Sequence, residues 1–253
     1  MKFLWNDGVT MKIFGLGDLH LSFDRLVIPG CWEGVSQHKP MDIFGSHWKN
    51  HYQKIYDNWC RLVEADDLVL VPGDISWAMD MEEAKWDLDF LNSLPGKIIM
   101  VRGNHDYWWR GITRVRQALP PNVVALQNDC FCIGKTAVCG SRGWSCPGSD
   151  EFTERDKNIY LRELKRVELS LQSVPYGVTR IILMLHFMPT GESHEISGFI
   201  ELMKQYDVKS CVYGHLHHPA DTIRLPDNKW GIEFSLVSAD YLNFTPKLLW
   251  EEK

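Results

Sequence analysis

The chain alternates between short, largely apolar runs and longer amphipathic stretches. Five runs of strand length, over residues 12–16, 67–72, 97–101, 180–185 and 209–213, are nearly continuous in apolar side chains. Near-continuity, rather than strict alternation, is expected of strands buried on both faces of a sheet. Between them apolar residues recur at three- and four-residue spacings. Tyr52, Ile55, Tyr56, Trp59, Leu62 and Val63 predict a helix over 47–65, and similar patterns predict helices over 80–93, 108–119, 151–173 and 194–206. In 151–173, Arg and Glu interleave as on a solvated helix face. Shorter strand-like runs fall at 122–126, 130–133 and 135–140, and the tail predicts strands over 222–225, 230–237 and 242–248. Strands alternating with helices, then strand-rich stretches, predict an α/β protein with two stacked sheets and helices outside.

Residues 21–46 fit neither pattern. A loop this long inside a compact domain is usually functional or disordered, and its aromatic content argues against disorder. It leaves the chain at the end of the first apolar run, so it reads as a candidate active-site lid; a satellite cluster packed on the surface is the alternative.

The five runs also share the character of their ends. They close in Asp18-Leu-His20, Asp74, Asn104-His105-Asp106, His186 and His215-Leu-His217. In open α/β sheets ligands bind beyond the carboxyl ends of the strands, so these residues should meet along one edge of the fold. Two Asp (Asp18 and Asp74), one Asn (Asn104) and four His (His20, His186, His215 and His217) from this set, converging there, describe a two-metal site. Two cations roughly 3.5–4 Å apart can clamp the attacking and leaving oxygens of an in-line displacement at phosphorus. Asp74, alone at its strand end, is the natural carboxylate to bridge them. Mixed imidazole and carboxylate ligands favour Mn, Fe or Zn over Mg or Ca. Glycine precedes the ligand in four of the five runs (Gly17, Gly73, Gly103 and Gly214), where a sharp turn or a close backbone approach needs it.

This ordered set resembles the calcineurin-like metallophosphoesterase superfamily, whose pattern is D-x-H, G-D, G-N-H-D/E, a lone H and G-H-x-H. The resemblance runs from residue 12 to 217 without a missing member. It implies a four-layer α/β/β/α sandwich of two mixed sheets flanked by helices. It also implies that Asp18, His20, Asp74 and His217 hold one divalent ion, and that Asp74, Asn104, His186 and His215 hold a second. His105 would face the scissile phosphate and stabilise or protonate the leaving group, with Asp106 orienting it. A metal-bound hydroxide would attack a phosphomonoester, phosphodiester or pyrophosphate bond. Some relatives of this superfamily keep the fold as catalytically silent scaffolds, and others are nucleases; the complete ligand set disfavours the first.

Composition narrows the partner. A net charge of −6 argues against a nucleic-acid surface while leaving a phosphorylated small molecule or nucleotide open, because bound cations neutralise phosphate locally. No run approaches the roughly 18 consecutive apolar residues that span a bilayer, and the first residues lack a signal-peptide pattern. Seven cysteines without tight paired spacing read as reduced thiols in a cytoplasmic protein. Residues 1–10 read as a candidate N-terminal extension ahead of a single domain over 11–253. Arg142, in Gly140-Ser-Arg-Gly143, is a candidate phosphate contact beside Asn104, with an ion pair as the plainer reading. Trp32, Trp77, Trp144 and Tyr107-Trp108-Trp109 fall in loops near the ligands, where they either stack on an organic group or simply pack.

Overall fold

The computed structural model describes residues 11–150 and 152–252, so the candidate extension over 1–10 lies outside the described residues. Among the described residues, eleven strands form two mixed sheets. The first has the order β11-β1-β2-β3-β4, from β1 (Met11–Gly15), β2 (Leu68–Val71), β3 (Lys97–Met100), β4 (Val123–Ala125) and β11 (Lys247–Glu252). Its strands are parallel except β11, which pairs antiparallel with β1. The second has the order β5-β6-β7-β8-β10-β9, from β5 (Cys130–Ile133), β6 (Thr136–Ser141), β7 (Arg180–Leu185), β8 (Ser210–Tyr213), β9 (Asn228–Lys229) and β10 (Ile232–Leu236). Here β6, β7, β8 and β10 run parallel, with antiparallel β5 and β9 at the edges.

Each apolar run supplies two cores at once. Leu68 and Leu70 of β2 join Ile13, Ile99, Val138, Ile182, Met184 and Val212 in the layer between the sheets. Val69 and Val71 of the same strand turn outward onto α1 (His51–Leu62), α2 (Met81–Asn92) and α3 (Ile112–Ala118), through Ile55, Trp59, Leu88, Leu91 and Val115. The second sheet's outer face, with Leu183, Leu185, Cys211 and Tyr213, packs on α4 (Glu154–Gln172) and α5 (Gly198–Gln205) through Val167, Leu171, Phe199 and Met203. The result is the expected four-layer α/β/β/α sandwich. No described helix is long and apolar enough to cross a membrane.

The boundaries shift where capping chemistry and proline override apolar spacing. The helix expected over 47–65 begins at His51, because residues 46–48 form a 3-10 turn that carries Trp48 inward. The helix expected from 151 starts at Glu154 behind a Thr153–Asp156 capping box. The strand expected over 222–225 is a turn between Pro219 and Pro226, in which the N–H groups of Ile223 and Arg224 both donate to the Ala220 carbonyl. Its apolar signal comes from Leu225, a core anchor rather than a strand residue. The strand expected over 242–248 begins only after Pro246; Leu242 and Phe244 close a turn on Ser238 and Ala239, and Phe244 packs against Trp48 and His51.

Trp59 ties α1 to the first sheet: it is fully buried and its indole N–H donates to the Pro95 carbonyl at 2.9 Å. Trp59→Ala should destabilise the fold by about 3–5 kcal/mol, read from denaturant unfolding, with the cavity term included.

Candidate metal centre

The strand ends bring the expected ligands together. Asp18, His20 and His217 offer ligand atoms within 4.8 Å of one another, and so do Asp18, Asp74 and His186. Asn104 Oδ1 lies 2.6 Å from His186 Nε2, so these two point at the same place, and the His215 ring stands 5.0 Å from that of His186. Asp18 belongs to both groups, while Asp74 Oδ2 reaches His186 at 3.5 Å and His20 at 3.8 Å. Either carboxylate can therefore serve both halves of the centre. His105 sits at the mouth, half-buried, its ring 5.8 Å from that of His20.

The local backbone is bent to make this convergence. Asp18, His20, Asp74 and His215 all have positive φ, between 47° and 70°, which non-glycine residues adopt only when the surroundings enforce it. Glycines occupy the places where a side chain could not fit. A Cβ on Gly103 would overlap Asp74, and one on Gly214 would overlap the Asp18 carboxylate. The main chain then holds the carboxylates: His105 N donates to Asp74 Oδ1 at 2.8 Å, and His215 N to both oxygens of Asp18 at 3.1 Å.

Protonation follows burial. Burial, with the Asp74 carboxylate alongside, pushes Asp18 up to about 8, and burial raises Asp74 too. Burial pulls His186 down to about 3 and drives His20 and His215 well below the ordinary imidazole range. Those three imidazoles are thus kept neutral, the form that ligates, while His217 is the imidazole whose charge answers the two carboxylates. The buried Nδ1 of His20 also has no protein partner. Oxygen and neutral nitrogen donors crowded together in this way fit divalent cations.

Supporting contacts include some that no motif announces. Asp240, buried just beyond β10, accepts from His217 Nδ1 at 2.9 Å and from His218 N at 2.9 Å. Burial opposes charge on His217, but the Asp240 bond and the Asp18 carboxylate outweigh it and lift His217 to about 9. A signal for it exists in the chain, since Asp240 lies four residues past the end of another parallel strand of the same sheet. His186 Nδ1 is held in turn by the Pro72 carbonyl at 2.9 Å.

Asp106 is placed differently from the expectation. Its carboxylate accepts from the main-chain N–H of Ile75, Ser76 and Gly103 and from the Trp108 indole, stapling the β2 and β3 end loops together. The His105 ring instead has its Nδ1 3.3 Å from the Tyr107 hydroxyl, with Trp77 4.2 Å away. Arg142 lies behind the centre: its carbonyl accepts from His186 N, and its guanidinium faces Glu163 at 3.4 Å and Trp144 at 4.3 Å. Trp108 and Trp109 are core residues, and Trp32 packs on Tyr52 and Tyr56.

Residues 21–46 reach over the other side. Phe23 is buried and anchored through its N–H to Asp87 of α2. Farther along, Met41 and Phe44 join Trp48, Trp77, His20, His105 and His217 around a cavity of about 210 Å³. A larger cavity of about 630 Å³, lined by Thr136, Arg180 and Leu248, opens at the opposite ends of β6 and β7, away from every ligand. Chemistry rather than volume marks the smaller one.

The sequence profile of the calcineurin-like phosphoesterase family matches residues 11–219. No curated protein matches the chain. Among solved structures, a protein of unknown function from Aquifex aeolicus is similar in fold, with TM-score 0.52 and 14% identity, over 94% of this chain and 95% of that one. A phosphopantetheinyl hydrolase from Mycobacterium tuberculosis is similar at TM-score 0.51 and 16% identity, over 91% of this chain and 90% of that one.

Two measurements test this geometry. Asp240→Asn should weaken metal binding about 10–100-fold, by loosening His217, in a chelator-competition titration. Burial also pushes Asp87 up to about 7, from an ordinary value of 3.8. A folded pKa raised in this way stabilises the fold below about pH 4 and loses that contribution as pH rises through about 7. Between pH 5 and 8, Asp87→Asn should therefore gain at least about 1 kcal/mol on the wild type in unfolding free energy; parallel pH profiles would contradict it.

Proposed function

This chain belongs to the calcineurin-like phosphoesterase family and is a metal-dependent phosphoester hydrolase, and within that class we propose a two-metal enzyme acting on a small phosphorylated molecule or nucleotide with an apolar or aromatic leaving portion. The observation that carries this reading is the apolar cavity built directly against His105 and the ligand cluster.

In this reading Asp18, His20, Asp74 and His217 hold one cation, and Asp74, Asn104, His186 and His215 the other. Bound there, Mn, Fe or Zn would polarise the phosphoryl oxygens and acidify a water molecule towards neutrality. The chain's own part is placement. Neutral His20, His186 and His215 are locked by burial, and Asp240 holds His217 through Nδ1 so that Nε2 faces the centre. With Nδ1 of His105 turned to Tyr107, its Nε2 is left to meet the leaving oxygen and give it a proton. Asp106 acts on the loop rather than on the ring: by fixing Gly103, Ile75 and Ser76 it sets where His105 begins.

The leaving portion would lie against Trp77 and between Met41, Phe44 and Trp48, so residues 21–46 act as a lid that shapes the substrate and sheds water. Lys39, 3.2 Å from the Trp77 ring, keeps that indole in place. A cavity of about 210 Å³ suits one ring system or a short alkyl segment. An extended polypeptide or duplex would not fit beneath the lid. The retention of every motif ligand and of His105 sets the silent-scaffold reading aside.

The test uses Mn²⁺-loaded protein with para-nitrophenyl phosphate and its bis ester. His105→Ala should lower kcat on the preferred ester about 10²–10⁴-fold while metal content stays unchanged. Turnover within twofold of wild type would remove His105 from the mechanism. The ester preferred by the wild type decides between monoester and diester chemistry.

A further inference from the structure

On the side of the centre away from the lid, three arginines surround one carboxylate and a fourth stands near them. Glu163 of α4 is fully buried, and three guanidinium groups converge on its Oε1: Arg166 at 2.9 Å, Arg142 at 3.4 Å and Arg162 at 3.6 Å. Its other oxygen accepts from the Ser141 hydroxyl at 3.2 Å. Arg102, two residues before Asn104, completes the group; the charges acting on it are those of Asp106, Arg166, Glu163 and Arg162. The Asp106 carboxylate is already engaged by Ile75, Ser76, Gly103 and Trp108, and only its main-chain carbonyl accepts from Arg102 Nε, at 3.2 Å.

Two buried carboxylates, Glu163 and the more distant Asp106, face four guanidinium groups, which leaves positive charge in excess. An uncompensated positive surplus in a partly desolvated site is costly unless something anionic answers it. Arg142 shows the shortfall most directly, because its Nε is buried with no partner and its guanidinium is clamped over Trp144. The surplus is local, since the chain as a whole carries −6. The cluster is also open: the Arg162 side chain is 54% exposed and that of Arg166 29%, against 11% for Arg142. It adjoins the metal ligands, because the Arg142 carbonyl holds His186 N and Arg102 precedes the Asn104 turn.

We propose that Arg102, Arg142, Arg162 and Arg166 form a second anion site, built for a phosphate-sized group, beside the metal centre. Guanidinium forks suit phosphate oxygens bidentately, and Glu163 gathers the forks into one patch. The anion is either a second phosphate of the same substrate or a separate free anion. The site itself needs no turnover, whereas the first of these sources rests on the hydrolase reading given above.

The experiment is calorimetric titration of Mn²⁺-loaded protein with inorganic phosphate. Wild type should bind two per chain, and the double variant Arg162→Gln/Arg166→Gln only one. Glu163→Gln, which removes the carboxylate that three of the guanidinium groups share, should tighten the second event, so the two variants move it in opposite directions and a misfolded protein cannot imitate both. A single phosphate event in wild type that the arginine variant retains, or two events in the arginine variant, would overturn the proposal. If the metal centre itself binds no phosphate, the wild type shows a single event that the arginine variant abolishes, which leaves this site standing and removes the other. A second arm compares adenosine 3′,5′-bisphosphate with adenosine 5′-monophosphate. A gain of about tenfold or more for the bisphosphate, lost in the arginine variant, assigns the site to the substrate; two phosphate events without that gain assign it to a free anion.

Discussion

Two carboxylates buried among histidines, where the edges of two sheets meet, are the constraint on which the rest of this molecule depends. Asp18 from the first strand and Asp74 from the second are almost wholly removed from water. Buried negative charge without a partner is costly, and the response is visible in both groups, whose protonated forms are favoured by burial. Cations would answer that cost and reverse the shift. The same burial holds three imidazoles neutral as donors, while His217, held by Asp240, carries the charge that answers the carboxylates.

Holding such a cluster requires backbone geometry that ordinary strands and helices do not supply. The ligands leave their strands through left-handed turns, with glycine wherever a neighbouring carboxylate presses against the main chain. That strain is sustained by main-chain donors aimed at Asp18 and Asp74 and by Asp106, which accepts from three N–H groups of two loops. The apolar layer between the sheets keeps both edges in register beneath it. Stability of the sandwich and precision of the site are therefore one problem, and the cost of strained turns is carried by a dry interior.

The two flanks of the centre differ in chemistry. On one side the long first loop brings Met41 and Phe44 over the imidazoles to meet Trp48 and Trp77, forming an apolar recess beside His105. On the other, α4 presents Glu163 to arginines from three separate segments of chain. A ligand lying across the metals would meet an organic recess at one end and positive charge at the other. The candidate metal-ligand cluster sits between these flanks.

Much of this was legible in the sequence, for a physical reason. A strand buried on both faces must be apolar along its length, and a ligand at its end comes directly after it in the chain, so strand and ligand are read together at residues 12–20, 67–74, 97–106, 180–186 and 209–217. Where short-range rules compete, as with the prolines around 222–225 and before 247, the apolar pattern overreached and the observed turns are set by local hydrogen bonding. The sequence by itself determined the sandwich, the candidate ligands at its strand ends and the glycines beside them. Only the tertiary structure decided that Asp240 holds His217, that Asp106 staples loops rather than the His105 ring, and that Glu163 gathers three arginines. These are contacts between segments tens of residues apart, with no periodicity to announce them, and they exist only once the two sheets have packed.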